Sequence, residues 1–306
     1  MPSILTHYYF INDCINENYP FLENEKDIAC LGAQGTDPFY FYGNLLKRLD
    51  KKEINDFASL IHNDNPFELY KHFIETANKE KGVNRDFLFS YIFGLLNHYV
   101  LDRTIHPYVF YSTGFDKSYL EDHQRFETNM DVVLRLYRND YVAPHNTIKV
   151  DKMDIDELAK VYYSYSEKNN LSLEEDSFSK AYNDYYYIQK LLYSRTGLKK
   201  WILNTFFKKS GANRVCMPKR IEDGIDYLNT NKNLWQHPNK NFKMSLSVNE
   251  LMEYAQKEFN KLGKILLNAY NHLDYENDLK KFIDNINHLG IEINSKMLYS
   301  NSVYNK

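Results

Sequence analysis

The chain has 306 residues, enough for one large domain or two of ordinary size. Hydrophobic residues make up 43% and charged residues 26%, a balance typical of a soluble globular protein and too apolar for global disorder. The net charge of −3 gives no electrostatic footprint for duplex nucleic acid. No apolar run approaches the roughly 18 residues of a transmembrane segment, and the N-terminus lacks the pattern of a secretory leader. We therefore expect a cytoplasmic protein.

Residue usage favours helices. Glycine (11) and proline (8) are scarce, and apolar residues recur at helical spacing in most segments. The three cysteines, Cys14, Cys30 and Cys216, are far apart and form no Cys-x-x-Cys unit, so we expect buried free thiols rather than a disulfide framework or a thiolate zinc site. The sequence predicts an all-α protein.

The first predicted helix covers residues 3–16, and a loop at 30–38 follows it. Helical periodicity then predicts helices at 39–49, 53–61, 66–81, 84–106 and 117–138. We expect Gly82 to end the third of these and Asn84 to cap the fourth. That helix should falter at Pro107, because residues before proline avoid the α region.

Beyond a polar stretch at 139–152, the same periodicity predicts further helices at 153–167, 173–194, 197–208 and 219–229. A loop rich in asparagine and lysine follows at 230–246. Ser247 and Glu250 then have the spacing of a capping box, which opens a helix extending to about Asn271. The polar tail at 291–306 carries no strong pattern.

Candidate metal ligands concentrate in two of the predicted helices. His98, Asp102 and His106 are four residues apart, so they lie on one helix face spanning roughly 80°. His123 and Glu127 repeat that spacing in the next helix. Side chains one turn apart are about 5–6 Å apart at Cβ, which suits two ligands of one divalent ion or of adjacent ions.

A single histidine followed by an acid four residues later carries little information, because about 1.3 such pairs are expected by chance in this composition. The chain has such pairs starting at His98, His123, His272 and His288. The full His-x3-Asp-x3-His series is expected only about 0.04 times, so its occurrence beside a second pair favours a metal site. Taken singly, His98 with Asp102 fits a surface ion pair, and His7 fits a core histidine.

The two-helix set resembles the bacterial zinc-dependent phospholipase C family, which shares a helical superfamily with the S1/P1-type nucleases. The resemblance also includes Thr6-His7 and the segment from Gly32 to Pro38, and it covers about residues 3–140. It implies a phospholipase C/P1 nuclease-like helical bundle. We expect one continuous domain over 1–306, with the metal-binding core at 3–140 and a helical extension at 150–306 packed on it.

Carried over by position, the resemblance implies a cluster of zinc ions. His98, Asp102, Asp37 and His62 would hold one ion, with His72 as the competitor of His62. A second ion would be held by His106, His123 and Glu127. Asp102 would bridge to a third ion, to which His7 contributes. Secreted relatives complete this third site with an N-terminal tryptophan, whereas here six residues that include no tryptophan precede His7, so we expect two or three ions.

The resemblance implies a zinc-dependent phosphodiester hydrolase in which a metal-activated water attacks a phosphodiester, possible substrates being phospholipid headgroups. Three protein ligands at the second site leave a position for water, and paired ions suit phosphoryl chemistry. Asp37 is the candidate catalytic residue, orienting or deprotonating that water. The alternatives are a nuclease or nucleotide phosphoesterase of the same superfamily, and a helical metal-binding protein without turnover. The aromatic run from Phe39 to Tyr42 either contacts substrate or fills the core.

Overall fold

The computed structural model describes residues 4–115, 120–206, 212–221 and 223–298. The first half comprises α1 (Ile4–Cys14), α2 (Lys26–Gly32), α3 (Pro38–Phe41), α4 (Lys51–Asn63), α5 (Phe67–Ala77), α6 (Val83–Thr113) and α7 (Leu120–Tyr137). The second half comprises α8 (Lys152–Lys168), α9 (Ser177–Leu192), α10 (Leu198–Phe206), α11 (Ala212–Val215), α12 (Val248–Tyr270) and α13 (Glu276–Ile283). Two-residue strands, β1 (Trp235–Gln236) and β2 (Lys243–Met244), form an antiparallel ladder with Trp235 opposite Met244.

The helix α6 lies at the centre of the molecule. It contacts α1, α2, α5, α7 and α12, and its residues are buried almost without interruption from Phe87 to Val109. A helix that is apolar on all faces needs neighbours all round it, which is the arrangement found here. Buried side chains from α1 to α9 and from α12 and α13 form one hydrophobic cluster with α6 at its middle. The all-α prediction is confirmed, whereas the proposed division into a core and an extension stays a prediction.

The capping box at Ser247 is confirmed. Its hydroxyl accepts a hydrogen bond from the Glu250 backbone N–H, while the Glu250 carboxylate accepts one from the Ser247 backbone N–H. Two backbone N–H groups at the start of α12 therefore have hydrogen-bond partners. The three cysteines are buried and unpaired, as expected. No helix in the described ranges is both long enough and apolar enough to cross a lipid bilayer.

Several predicted boundaries are wrong. The helix expected at 39–49 ends at Phe41, because Tyr42 is extended and Gly43 adopts a φ of 71°. Gly82 does not end the preceding helix: α5 stops at Ala77, and Gly82 instead lies at the N-cap of α6. The described part of 219–229 is not helical, while α2 and α13 are helices that the sequence patterns did not predict.

Proline 107 does not end the helix. The α6 helix runs through Pro107 to Thr113, although proline removes one backbone hydrogen bond and costs roughly 3 kcal/mol in a helix interior. Ile105, Tyr108 and Val109 around it are at most 1% exposed. Their burial offsets that cost, because each fully buried large apolar side chain contributes about 1.5–3 kcal/mol.

Candidate metal centre

All eight candidate residues converge in one buried cluster. The helix α1 supplies His7, the turn before α3 supplies Asp37, α4 supplies His62, and α6 and α7 supply the rest. None is more than 8% exposed: His7, Asp37, His62, His98, Asp102, His106, His123 and Glu127. Segments separated by more than a hundred residues thus meet at one point of the fold.

The potential ligand atoms fall into three groups, and within each group all of them lie within 4.8 Å of one another. The groups are His7, His98 and Asp102; Asp37, His62 and His98; and His106, His123 and Glu127. Sharing of His98 brings the first two groups side by side, while the third is offset toward α7. The composition is imidazole and carboxylate throughout, which is a donor set that zinc accepts.

In the first two groups, imidazole nitrogens lie close to carboxylate oxygens without forming hydrogen bonds. Nε2 of His7 lies 3.1 Å from Oδ1 of Asp102, and Nε2 of His98 lies 3.2 Å from its Oδ2. Nε2 of His62 lies 3.0 Å from Oδ1 of Asp37. Among the described residues, none of these atoms has a partner in hydrogen-bond geometry. A buried polar atom without a hydrogen-bond partner lowers the stability of the fold. Nitrogen and oxygen atoms that lie this close together without hydrogen bonds are therefore well placed to coordinate one cation.

Backbone carbonyls fix the orientation of two of the histidines. Nδ1 of His98 lies 3.0 Å from the Ala33 carbonyl oxygen, and Nδ1 of His62 lies 3.0 Å from that of Ala58. A ring that donates through Nδ1 carries its lone pair on Nε2. In both rings, Nε2 is the atom that faces the cluster, so each is held in the tautomer that metal binding requires.

Three glycines allow the segment around Ala33 to pack closely against His98. The helices α2 and α6 cross at Gly32 and Gly94, where any Cβ would overlap the backbone of the other helix. Gly35 then turns with a φ of 57° directly over the His98 ring, and a Cβ there would overlap the imidazole. This close packing places Asp37 and His98 in one group although they belong to different segments.

The third group joins α6 to α7. Nε2 of His123 lies 2.9 Å from Oε1 of Glu127, and Nε2 of His106 lies 3.6 Å from the same oxygen. The sequence predicted a break in this helix at Pro107, directly after His106, which would direct His106 away from the first site. His106 does belong to the other group, but the helix continues, so the divergence comes from rotation along the helix face.

Negative charge dominates the first two groups. Asp37 and Asp102 are at most 2% exposed, and within the described ranges no lysine or arginine pairs with either of them. Burial by itself raises the pKa of both carboxyls, but neighbouring histidines outweigh it: His62 and His98 lower the pKa of Asp37, and His98, His106 and His7 lower that of Asp102. Buried ionised carboxylates need a compensating cation, which a divalent metal would provide.

The histidines differ in protonation. Burial lowers the pKa of His7, and it lowers the pKa of His106 to about 4, so both rings are neutral near pH 7. Burial also opposes charge on His98, yet Asp102 and then Asp37 outweigh it and raise the pKa of His98. Because a metal ligand must be deprotonated, zinc binding at His98 would replace a proton that the two carboxylates otherwise attract.

A cleft opens onto the cluster. Two candidate ligands, Asp37 and Glu127, lie in its wall. Phe41 and Tyr185 face it from α3 and α9, while Leu192 and Met217 continue the wall from later segments. A substrate in this cleft would contact residues from both halves of the chain and reach the cluster at its open side.

Asp131, one turn beyond Glu127 on α7, anchors the start of α1. Its carboxylate accepts the Leu5 N–H at 2.9 Å, and the Thr6 N–H and hydroxyl at 2.7 Å each. These donors belong to the first turn of the helix that carries His7, where an anion is favoured. Asp131 belongs to no sequence motif, so this contact was not predicted.

Replacing Asp131 with alanine is expected to lower the free energy of unfolding by about 3 kcal/mol, because three charge-assisted hydrogen bonds to a buried carboxylate are lost. Urea unfolding of the purified protein measures this. Thr6→Val removes just one of the three bonds and should cost about 1 kcal/mol. Equal effects of the two variants would show that Asp131 does not act as a three-way anchor.

His288 is a histidine beside the cluster that sequence reasoning also missed. It is 3% exposed, and its ring centroid lies 5.0 Å from that of His62 and 5.7 Å from that of His98. Its backbone carbonyl lies 3.1 Å from Nδ1 of His106, so it orients one imidazole of the third group. The signal was present in the His288-x3-Glu292 pair, but that pair could not be told from chance.

The structure distinguishes the alternatives left open for His72 and for the aromatic run from Phe39 to Tyr42. His72 lies outside the cluster, where its Nε2 is 2.9 Å from the Ser164 hydroxyl, so His62 takes the position that the two shared as candidates. The aromatic run divides: Phe39 and Tyr42 are buried in the core, whereas Phe41 lines the cleft. Tyr40 is half-buried, and its ring centroid lies 5.3 Å from that of His62.

Comparison with known proteins agrees with this arrangement. The family model described as zinc dependent phospholipase C matches residues 6–191, which is more than half of the chain and includes all eight candidate residues. Searches of curated proteins and of solved structures found no match. Residues 192–298, including His288, lie beyond the matched range. The chain belongs to the zinc-dependent phospholipase C family.

Proposed function

We propose that the protein is a zinc-dependent phosphodiesterase that hydrolyses the phosphodiester of a phospholipid. The observation that carries the proposal is the convergence of three buried groups of histidines and carboxylates beside an open cleft. Family membership supports the phospholipid as substrate class. Zinc held by these groups would supply positive charge to the phosphoryl oxygens and lower the pKa of a coordinated water.

The chain's own groups then have distinct tasks. His7, His62 and His98 orient around the two aspartates and define where the cations would lie. Asp37 is the aspartate that also faces the cleft, and its lowered pKa keeps it ionised. We assign to Asp37 the acceptance of the proton from the attacking water. The proton is then available to the oxygen that leaves when the phosphorus–oxygen bond breaks.

A nuclease or nucleotide phosphoesterase is the second candidate. Phe41 in the cleft wall and Tyr40 beside His62 offer aromatic faces that suit an unstacked base as well as a choline headgroup. The phosphodiester chemistry is the same for either substrate. The two functions therefore differ in what the cleft wall accepts rather than in the metal cluster.

Substrate assays decide between them. Purified protein supplied with zinc is incubated with phosphatidylcholine and, separately, with single-stranded DNA and a 3′-nucleotide. We expect release of phosphocholine and diacylglycerol that a chelator abolishes and added zinc restores. Cleavage of DNA or the nucleotide without cleavage of lipid would favour the second candidate. High zinc occupancy without turnover of any of the three would leave a metal-binding protein and overturn the proposal.

A further inference from the structure

Although the net charge of the chain is negative, one segment of it is strongly basic. Between Asp184 and Glu222 there is no acidic residue, whereas nine of the 38 basic residues lie there: Lys190, Arg195, Lys199, Lys200, Lys208, Lys209, Arg214, Lys219 and Arg220. Most of this segment follows residue 191 and so lies outside the family match. A charge concentration of this kind attracts a polyanionic partner.

The same segment exposes large apolar side chains. The helix α10 has no buried residue in the structure, and Leu198 and Trp201 are each 58% exposed while Phe206 is 68% exposed. On the neighbouring α9, Tyr187 and Leu191 are one turn apart and more than half exposed. We call these five residues the α9–α10 surface. An amphipathic helix that combines exposed leucine, tryptophan and phenylalanine with lysine is typical of helices lying in a membrane interface.

The α9–α10 surface is tied to the wall of the cleft. Nζ of Lys199 donates to the Leu191 carbonyl at 3.2 Å, which joins the two helices. Nζ of Lys200 donates to the Cys216 carbonyl at 2.9 Å, next to Met217 in the cleft wall. The Met217 N–H in turn donates to the carbonyl of Leu192, another wall residue. A partner on this surface would therefore lie beside the cleft entrance.

We infer that the α9–α10 surface docks the protein on an anionic lipid bilayer and so presents membrane phospholipid to the cleft; this inference rests on the proposed function. Basic residues attract the anionic headgroups, and the apolar side chains enter the interface. Single-stranded nucleic acid is the other polyanion to consider. It uses aromatic stacking and positive charge, but it has no use for exposed aliphatic side chains such as Leu191 and Leu198.

Tryptophan fluorescence tests the inference directly. The chain has two tryptophans, and Trp235 is 2% exposed, so Trp201 reports changes at the surface. The full-length protein is titrated with vesicles of phosphatidylcholine alone and with vesicles in which about a third is phosphatidylserine. We expect a blue shift of the Trp201 emission on the anionic vesicles that weakens with added salt. Absence of the shift, or an equal shift on neutral vesicles, would overturn the inference.

Variants locate the surface. Leu198→Glu should weaken binding to the anionic vesicles about tenfold or more, because it replaces an inserted apolar group with a charge of the wrong sign. Leu273→Glu is the matched control, since Leu273 is also 58% exposed but lies beyond α12, and it should bind like the wild type. Lys199→Glu should weaken binding at low salt. Thermal melts establish that each variant is folded.

The binding test is independent of turnover. If Leu198→Glu binds vesicles as the wild type does, or if Trp201 responds to a single-stranded oligonucleotide but not to vesicles, the docking inference is wrong whatever the enzyme hydrolyses. If vesicles bind as expected but no phosphodiester is cleaved, the docking surface stands and the proposed function falls. The two claims therefore fail separately.

Discussion

Asp102→Asn is expected to remove zinc from more than one site, whereas His106→Ala is expected to affect mainly one. Asp102 presents one oxygen to His7 at 3.1 Å and the other to His98 at 3.2 Å, and His98 is shared by the first two groups, so loss of this carboxylate affects both. The amide cannot supply two anionic oxygens. His106 faces His123 and Glu127 instead.

Elemental analysis of protein purified without added metal measures the zinc content, and we expect two or three ions in the wild type. His237→Ala is a matched control for His106→Ala: His237 is 6% exposed, its burial lowers its pKa to about 4 as at His106, and it lies outside the three groups. That variant should retain its zinc. Equal zinc in the wild type, Asp102→Asn and His106→Ala would remove the cluster model.

Asp37→Asn is expected to lower kcat by a factor on the order of 10²–10⁴, the usual effect of removing a general base. Asp37 lies in the cleft wall, and its Oδ1 lies 3.0 Å from Nε2 of His62. Burial acts to raise its pKa, but His62 and His98 lower it, so the native carboxylate is ionised at neutral pH and can accept a proton. Initial rates on the preferred phosphodiester measure the loss.

Zinc content measured on the same preparation separates two roles of Asp37. If activity falls much further than zinc content, Asp37 acts on the attacking water; if both fall in proportion, it acts as a ligand alone. Asp184→Asn is the control, because Asp184 is a buried carboxylate on α9 that accepts the Gly43 N–H, pairs with Arg48 and belongs to none of the three groups. Its activity should match that of the wild type. Full activity of Asp37→Asn would contradict both roles.

Local periodicity accounts for much of what could be predicted. Spacing of four residues places His98, Asp102 and His106 on one face of α6, because each step turns a helix by about 400°. The same rule pairs His123 with Glu127 on α7. The Ser247 capping box is likewise a matter of neighbouring residues, and it was predicted correctly. These features depend only on residues within one or two turns of each other.

Predictions of helix ends from neighbouring residues were wrong where tertiary packing contributes more free energy than the local preference. The expected break at Pro107 did not occur because α6 is buried on every side, and that burial offsets the lost hydrogen bond. Gly82 satisfied a local rule for ending one helix, yet it begins the next. In both cases the local preference amounts to a few kcal/mol at most, which packing of a central helix exceeds.

The sequence by itself determined the helical class, the ligand types and the face of α6 that carries three of them. The family resemblance implied His7, Asp37 and His62 as further ligands, but only the tertiary structure shows how they reach that face. It alone decided that Asp131 anchors the helix of His7 and that His288 packs against the cluster from beyond the family match. The reason is physical: helix geometry fixes neighbours within a turn, whereas contacts between distant segments depend on how many buried side chains fit together at once.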